Sequence, residues 1–301
     1  MLSSLSSNQR GILAICGCMA SYTINDVLVK EILLEGYPVG ETIFLRGVMS
    51  ALLIGIFVLA GGHARLLRAA MSMRLATRSA FDGLSTVCFI GALAFMPMVN
   101  LSAVLQIGPL LITALSIVFF KETVGWRRWT AVGIGFFGAL LVIKPIPSQF
   151  DIWALVAAGS ALFAALRELQ NRRIDRAVPT LVIAFWGAIG ITLFGSLFVF
   201  VETWRVFALP YLIQLFVASV FVGIAIYLMA LGFRDVDLSV VAPFRYSYLL
   251  TSGLGGYLMF GELPDGWTVV GAMLIVGSGI YALHRESRRR KVLTAKAVTA
   301  A

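Results

Sequence analysis

The amino-acid sequence predicts an all-α membrane protein: ten transmembrane helices arranged as two inverted five-helix repeats, with both termini in the cytoplasm. Three observations carry this expectation: composition, the spacing of apolar runs, and an internal repetition. Of 301 residues, 59% are hydrophobic and 13% are charged. Soluble domains carry about 45–50% apolar and about 25% charged residues. A water-soluble fold of this composition would lack the polar groups to cover itself.

A helix crossing the roughly 30 Å hydrocarbon layer needs about 20 mostly apolar residues, because each rises about 1.5 Å. The first such run, 11–34, follows Arg10 and has no small-residue cleavage site, so it reads as a retained helix and not as a signal peptide. The turn Gly36-Tyr37-Pro38 leads into the second, 40–61. The third, 75–96, contains charges and stops at Met96-Pro97-Met98; the fourth, 99–120, is interrupted by Gly108-Pro109. The fifth, 127–144, is rich in glycine and ends at Pro145-Ile146-Pro147. The sixth to eighth are 151–173, 178–200 and 209–232. The ninth, 238–260, has Pro243 near its start, and the turn Glu262-Leu263-Pro264-Asp265-Gly266 separates it from the tenth, 266–283. Trp126, Trp153 and Trp204 fall at run ends, where indole rings prefer the interface. The gaps leave no room for a soluble domain, and residues 284–301 form a basic tail.

The net charge of +9 comes from 24 Lys and Arg against 15 Asp and Glu. With the amino terminus inside, alternation puts 18 of the 24 on inside segments: Arg10; Arg65, Arg68, Arg74 and Arg78; Lys121, Arg127 and Arg128; Arg172, Arg173 and Arg176; Arg234; and Arg285, Arg288, Arg289, Arg290, Lys291 and Lys296. Lys30, Lys144 and Arg205 fall outside, and Arg46, Arg167 and Arg245 lie within helices. This bias is the positive-inside signature, so the basic balance reports orientation and not a nucleic-acid partner.

The chain repeats itself. Leu101-Ser102-Ala103-Val104 matches Leu238-Ser239-Val240-Val241, Phe120-Lys121-Glu122 matches Phe260-Gly261-Glu262, and Trp129-Thr130-Ala131-Val132-Gly133 matches Trp267-Thr268-Val269-Val270-Gly271. Pro38 and Phe44 likewise parallel Pro179 and Phe185. The halves are 11–144 and 151–283. Each has five runs, an odd number, so the second half enters the membrane from the opposite side. Inverted repeats are characteristic of secondary transporters, whose substrate sits near the midplane between the halves.

The stretches Leu101–Gly138 and Leu238–Gly279, with Ala242-Pro243-Phe244-Arg245-Tyr246, resemble the EamA domain of the drug/metabolite transporter superfamily. Phe44-Leu45-Arg46 matches an arginine that members often carry in their second helix. The resemblance covers about residues 11–283. It implies ten helices, a central cavity, and export of small metabolites by alternating access in a bacterial inner membrane, with the aromatic amino acid exporters as one subgroup.

A charge near the bilayer centre costs at least about 2.5–3.5 kcal/mol on insertion scales, so it normally faces a partner or a cavity. Depth along the runs pairs Asp26 with Arg46 on the outer side, as an outer gate or a structural ion pair. It pairs Asp82 with Arg245 on the inner side, as a gate or a permanent salt bridge between the halves. Arg167 and Glu168 are adjacent and point about 100° apart, so one can face the cavity while the other snorkels. Tyr22 and Asn25 share a helix face. Gln106 precedes the Gly108-Pro109 break, and Pro243 interrupts the corresponding run of the other half; paired breaks of this kind point to a transporter site. Ser85, Tyr227, Tyr246 and Tyr248 add hydroxyls, and Phe81 and Phe163 add aromatic walls. Together these groups suit an amino acid, with Arg for its carboxylate and Asp or carbonyls for its ammonium. They also suit other amphipathic metabolites or drugs. The glycines Gly133, Gly135, Gly138, Gly271, Gly277 and Gly279 read as packing positions.

Expected partners are the lipid bilayer, a small substrate, and a proton as coupling ion through Asp82 or Glu168, with the protein a monomer or weak dimer. No cofactor or metal is expected. Cys16, Cys18 and Cys88 lie in apolar runs, His63 and His284 lie in polar segments, and no Walker A sequence occurs. The readings from other classes are a membrane-embedded enzyme and a receptor. Asp26 and Asp82 lie at opposite depths, which disfavours an intramembrane aspartyl protease.

Overall fold

The computed structural model describes residues 7–120, 126–144, 151–175, 177–232 and 241–299, the side chains of 117, 118, 120, 127, 128, 230, 242, 283 and 285–299 excepted. Lys121 and Glu122, the Pro145-Ile146-Pro147 turn, Arg176, Arg234 and Leu238-Ser239-Val240 lie outside the described residues. So do the side chains of Arg127, Arg128 and the tail.

All regular structure among the described residues is helical: α1 (Ser7–Leu34), α2 (Val39–Ala60), α3 (Ala64–Ala69), α4 (Met73–Phe95), α5 (Met98–Leu105), α6 (Gly108–Phe120), α7 (Trp126–Ile143), α8 (Ile152–Asn171), α9 (Thr180–Ser196), α10 (Leu209–Gly232), α11 (Ser247–Phe260) and α12 (Gly266–Thr299). Short 3₁₀ turns follow α9 and precede α11. Among the described residues, six segments are long and apolar enough to cross a membrane: Ser7–Leu34, Val39–Ala60, Met98–Ser116, Ile152–Asn171, Thr180–Phe200 and Leu209–Met229. Trp129–Ile143 and Gly266–Ala282 are apolar but shorter.

Local chemistry sets the helix ends. Ser72 accepts from the Leu75 N–H at 3.3 Å to start α4, and Asp151 accepts from the Trp153 N–H at 2.9 Å to start α8. Pro38, Pro97 and Pro179 precede α2, α5 and α9. Gly261 ends α11 in the left-handed conformation, φ 66°, that a side chain disfavours. The Gly108-Pro109 interruption is a true break. Residues 106–107 form a turn between α5 and α6, and their N–H groups bond back to Ser102, Ala103 and Val104. Pro243 sits in the 3₁₀ turn Ala242–Tyr246 that leads into α11.

The pairings between the halves come in matching sets. Helix α1 packs along α10, and α8 along α4. Helix α2 packs on α9 and α10, and α9 on α2 and α4. Helix α11 packs on α1, and α5 and α6 pack on α8; α7 lies against α12. Glycine permits the closest crossings. A Cβ built on Gly138 meets the Gly271 carbonyl oxygen at 2.7 Å, and one built on Gly271 meets the Gly138 oxygen at 2.5 Å. Built Cβ atoms on Gly133 and Gly277 meet nothing, so the expected packing glycines divide into contact and non-contact positions.

Candidate functional site

Helix α1 places Tyr22, Asn25 and Asp26 on one face, at spacings of three and four residues. A buried polar chain grows from that face. Tyr248 of α11 donates to Asp26 Oδ2 at 2.6 Å, Asn25 Nδ2 donates to Asp26 Oδ1 at 2.8 Å, and Arg46 Nη1 of α2 donates to Asn25 Oδ1 at 3.2 Å. Asn25, Asp26 and Arg46 are only 2%, 3% and 9% exposed. The expected direct Asp26–Arg46 pair is therefore corrected. Asn25 stands between the two charges as a relay, because its amide presents a donor to one and an acceptor to the other.

The second cluster lies on the seam between α4 and α8, which run antiparallel. Asp82 Oδ2 accepts from Arg78 Nη1 at 2.8 Å, and Asp82 Oδ1 accepts from Arg167 Nη1 at 2.8 Å. Arg78 Nε continues to Asn171 Oδ1 at 3.1 Å, and Asn171 donates to Glu168 at 3.2 Å. The expected Asp82–Arg245 pair is not formed. Arg245 is exposed and makes no ion pair with a described residue, because both oxygens of Asp82 are taken by arginines nearer to it. Arg167 binds Asp82 instead of snorkelling.

The two clusters are neighbours. Tyr22, half-buried, lies in the electrostatic reach of Asp82, Arg167 and Arg245, and Arg46 in that of Asp26, Asp82 and Tyr22. Phe81 and Phe163 stack beside them with ring centroids 6.4 Å apart. Arg46 Nε, Arg167 Nε and Gln106 Nε2 are buried donors without an acceptor among the described residues. The two aspartates, by contrast, have both oxygens engaged. Gln170 Oε1 of α8 is a buried acceptor without a donor among the described residues, so unmet capacity of both kinds remains, with the two arginine Nε–H groups on the charged side.

Three expected contacts lie elsewhere. Ser85 is locked to Ser160, each hydroxyl donating to the other's carbonyl oxygen at 3.0 and 2.9 Å, so it holds α4 to α8. Tyr246 is buried with its hydroxyl unpartnered against Gly279 of α12. Tyr227 is 64% exposed and sits on the outward stripe of α10 with Phe216, Ile224 and Leu231, because α10 spends its opposite face on α1 and α2.

The sequence reading missed several polar partners. Lys30, counted with the outside charges at the end of the first run, is buried in α1; it pairs with Glu262 and donates to the Met96 carbonyl oxygen at 2.9 Å. Glu262 also accepts from the Met98 N–H at 2.7 Å, so the Phe260-Gly261-Glu262 turn ties α11, α5 and α1 together. Lys144 pairs with Asp265, joining the end of α7 to the start of α12. Arg78 counts only as an inside charge in the sequence reading, although its four-residue spacing from Asp82 is a readable signal. Between the α1–α2 turn and the segment before α10, Glu202 accepts from the Gly40 N–H at 2.8 Å and Glu41 accepts from the Arg205 N–H at 2.9 Å. Burial pushes the Glu202 carboxyl up from its ordinary value, and the Gly40 and Glu41 N–H groups oppose that shift.

The family model of the EamA-like transporters matches residues 9–144 and 151–283. The chain belongs to the EamA-like transporter family. This member of the drug/metabolite transporter superfamily is a multi-pass membrane transporter. It is 26% identical over 271 residues to an S-adenosylmethionine uptake transporter of Rickettsia prowazekii (strain Madrid E), across 90% of this chain and 91% of that protein. It is 28% identical over 284 residues to the pseudopaline exporter CntI of Pseudomonas aeruginosa (strain UCBPP-PA14), across 92% and 97%. A riboflavin transporter of Vibrio cholerae serotype O1 is 28% identical over 204 residues, across 67% and 68%. A solved crystal structure, 20% identical, superposes with a TM-score of 0.63 over 93% of this chain and 98% of its own, which shows a shared fold.

Proposed function

We propose that this EamA transporter is a secondary carrier of the bacterial inner membrane that exports amino acids, aromatic ones included, by alternating access. Ten membrane crossings in two inverted five-helix repeats fit the matching helix pairings, in which α1–α10 answers to α8–α4. The observation that carries the substrate reading is the pair Arg46 and Arg167. Both lie within reach of Asp82 and Tyr22, and each keeps a buried Nε–H without an acceptor. An unmet buried donor costs about 1–3 kcal/mol, and a carboxylate supplies the missing acceptors. Arg245 is the third cation near Tyr22, and the Phe81–Phe163 stack offers an apolar wall to the rest of the substrate.

Alternating access requires the Asp82–Arg78–Arg167 seam to part as the inner gate. Proton coupling runs through Asp26, whose oxygens are held by an amide and a phenol, rather than through Asp82 with its two guanidinium partners. The second reading is uptake of S-adenosylmethionine, itself an amino-acid derivative, favoured by a relative that aligns over nearly the whole of both chains.

Counterflow into liposomes tests both. Labelled phenylalanine and S-adenosylmethionine are offered at two internal pH values, each beside its carboxamide analogue. The free carboxylate is expected to be carried at least about tenfold better than the amide, as for loss of a charged hydrogen bond. Equal transport of acid and amide, or no flux of either compound, would refute the reading.

A further inference from the structure

At the far end of α4, roughly 20 Å of helix rise from Asp82, a turn of backbone is held by a lysine and a glutamate. Met96, Pro97 and Met98 link α4 to α5. Lys30 of α1 donates to the Met96 carbonyl oxygen at 2.9 Å, and Glu262, just past α11, accepts from the Met98 N–H at 2.7 Å through Oε2. The other oxygen of Glu262 pairs with Lys30. Met96 closes α4 and Met98 opens α5, so both backbone groups are among those that a helix end leaves without an internal partner. Each charge suits the end it meets, a cation at the carboxyl end of α4 and an anion at the amino end of α5. Pro97 between them has no N–H to offer.

The grip joins two different sides of the bundle. Lys30 and Glu262 belong with α1 and α11, which pack on each other, whereas the turn belongs with α4 and α5, which pack on α8. Contact between the sides continues along α5 and α11, where a Cβ built on Gly253 meets Val99 Cγ2 at 3.5 Å and one built on Gly256 meets Met98 Cβ at 3.4 Å. Glu262 has a fitted seat. Its N–H bonds to the Gly256 carbonyl oxygen at 3.1 Å, and a Cβ built on Gly256 would lie 2.9 Å from its Oε2. The Phe260 ring covers Lys30 Nζ at 5.2 Å from its centroid. If the turn left, neither charge would lose its counter-ion, because Lys30 and Glu262 stay paired on their own side. Only the charge-assisted bonds to Met96 and Met98 would break, and the released backbone groups lie at the end read as outer, where water meets them. The Asp82 seam differs, since parting it breaks a buried ion pair itself.

We propose that Lys30 and Glu262 form an outer latch, which holds the α4–α5 turn against α1 and α11 while the outer end is shut and lets the turn go when that end opens. The latch rests on the alternating-access reading, and not on which substrate is carried.

The full-length protein, freed of Cys16, Cys18 and Cys88, is reconstituted in nanodiscs with spin labels at Ile152→Cys and Leu263→Cys. Both residues are exposed, one at the start of α8 and the other beyond α11, on opposite sides of the latch. Double electron–electron resonance reads the distance between them. Lys30→Met with Glu262→Met leaves no unpaired charge but strips the turn of its partners in the shut state. The ratio of long to short distances should rise at least about tenfold. Gly256→Ala keeps both charges, pushes the Glu262 carboxylate off its seat, and should move the ratio the same way. Lys144→Met breaks the ion pair between α7 and α12 and should leave the ratio unchanged. The proposal is overturned if either the double variant or Gly256→Ala keeps the wild-type distances, or if Lys144→Met shifts them as far. Counterflow of phenylalanine and S-adenosylmethionine by the same proteins separates this from the substrate reading. Wild-type flux with unmoved distances in the variants overturns the latch alone. Shifted distances without flux of either compound uphold the latch and overturn the substrate reading alone.

Discussion

Asp82 decides how the α4–α8 seam is held, because one carboxylate serves two guanidinium groups from different helices. Asp82→Asn leaves Arg78 and Arg167 facing each other without the carboxylate that bonds both, with only Glu168 nearby as a counter-charge. Removing one partner of a buried pair costs about 3–5 kcal/mol. The lower end applies here, since the Arg167 side chain is 32% exposed. A clear drop in melting temperature and in folded yield is therefore expected in detergent. Arg245→Gln removes an exposed charge with no ion pair and should change stability by no more than about 0.5 kcal/mol, while reducing counterflow. An Asp82→Asn protein that melts with the wild type would show that the pairing contributes nothing. Depth along the apolar runs brought out Asp26, Arg46, Asp82 and Arg167 as charges within helices but not their partners. Arg167 and Arg245 lie at similar distances from the same end, and only the antiparallel register of α4 and α8 puts Arg167 and Arg78 against Asp82. Asn25 next to Asp26 was visible, but that the amide would intervene before Arg46 depends on the approach of α2.

Glycines sort the elements. Helices α7 and α12 cross where Gly138 and Gly271 each abut the other's backbone, so a methyl at either cannot be met by turning a side chain aside. Gly138→Ala and Gly271→Ala should lower the melting temperature. Gly133→Ala and Gly277→Ala add a methyl into open space and should be neutral or stabilise by up to about 1 kcal/mol, the usual helix-interior gain. Thermal melts of the four single variants read this directly, and a uniform effect would contradict the crossing. The break at Gly108-Pro109 and the turn at Pro243 were legible, since a proline cannot donate to a regular hydrogen-bond ladder. The orientation of Tyr227 was not, because an apolar membrane helix carries little polarity contrast to mark which face meets a neighbour and which meets lipid.

For the molecule as a whole, the charge bias makes a topological prediction. In a variant lacking Cys16, Cys18 and Cys88, a cysteine at Ala70 should react with a membrane-impermeant maleimide only from the cytoplasmic side. One at Ser148 should react only from outside. The reverse pattern would invert the orientation. The pairing of α4 with α8 is matched by that of α1 with α10, where Gln214 donates to Glu31 at 2.8 Å.

The sequence alone determined that the chain is helical and apolar, that it breaks at Gly108-Pro109, and which family it belongs to. Each of these follows from local composition, turn chemistry and spacing along the chain. Only the tertiary structure decided which charges meet: Asp82 with Arg78 and Arg167, Arg46 with Asn25, and Lys30 with Glu262. Its packing also turned Ser85, Tyr227 and Tyr246 away from the polar centre. The physical reason is that a buried charge must find a partner, but the energy that requires one does not say which. Rotation and register of helices distant in sequence make that choice, through close-packed contacts such as the glycine crossings, and no single segment encodes them.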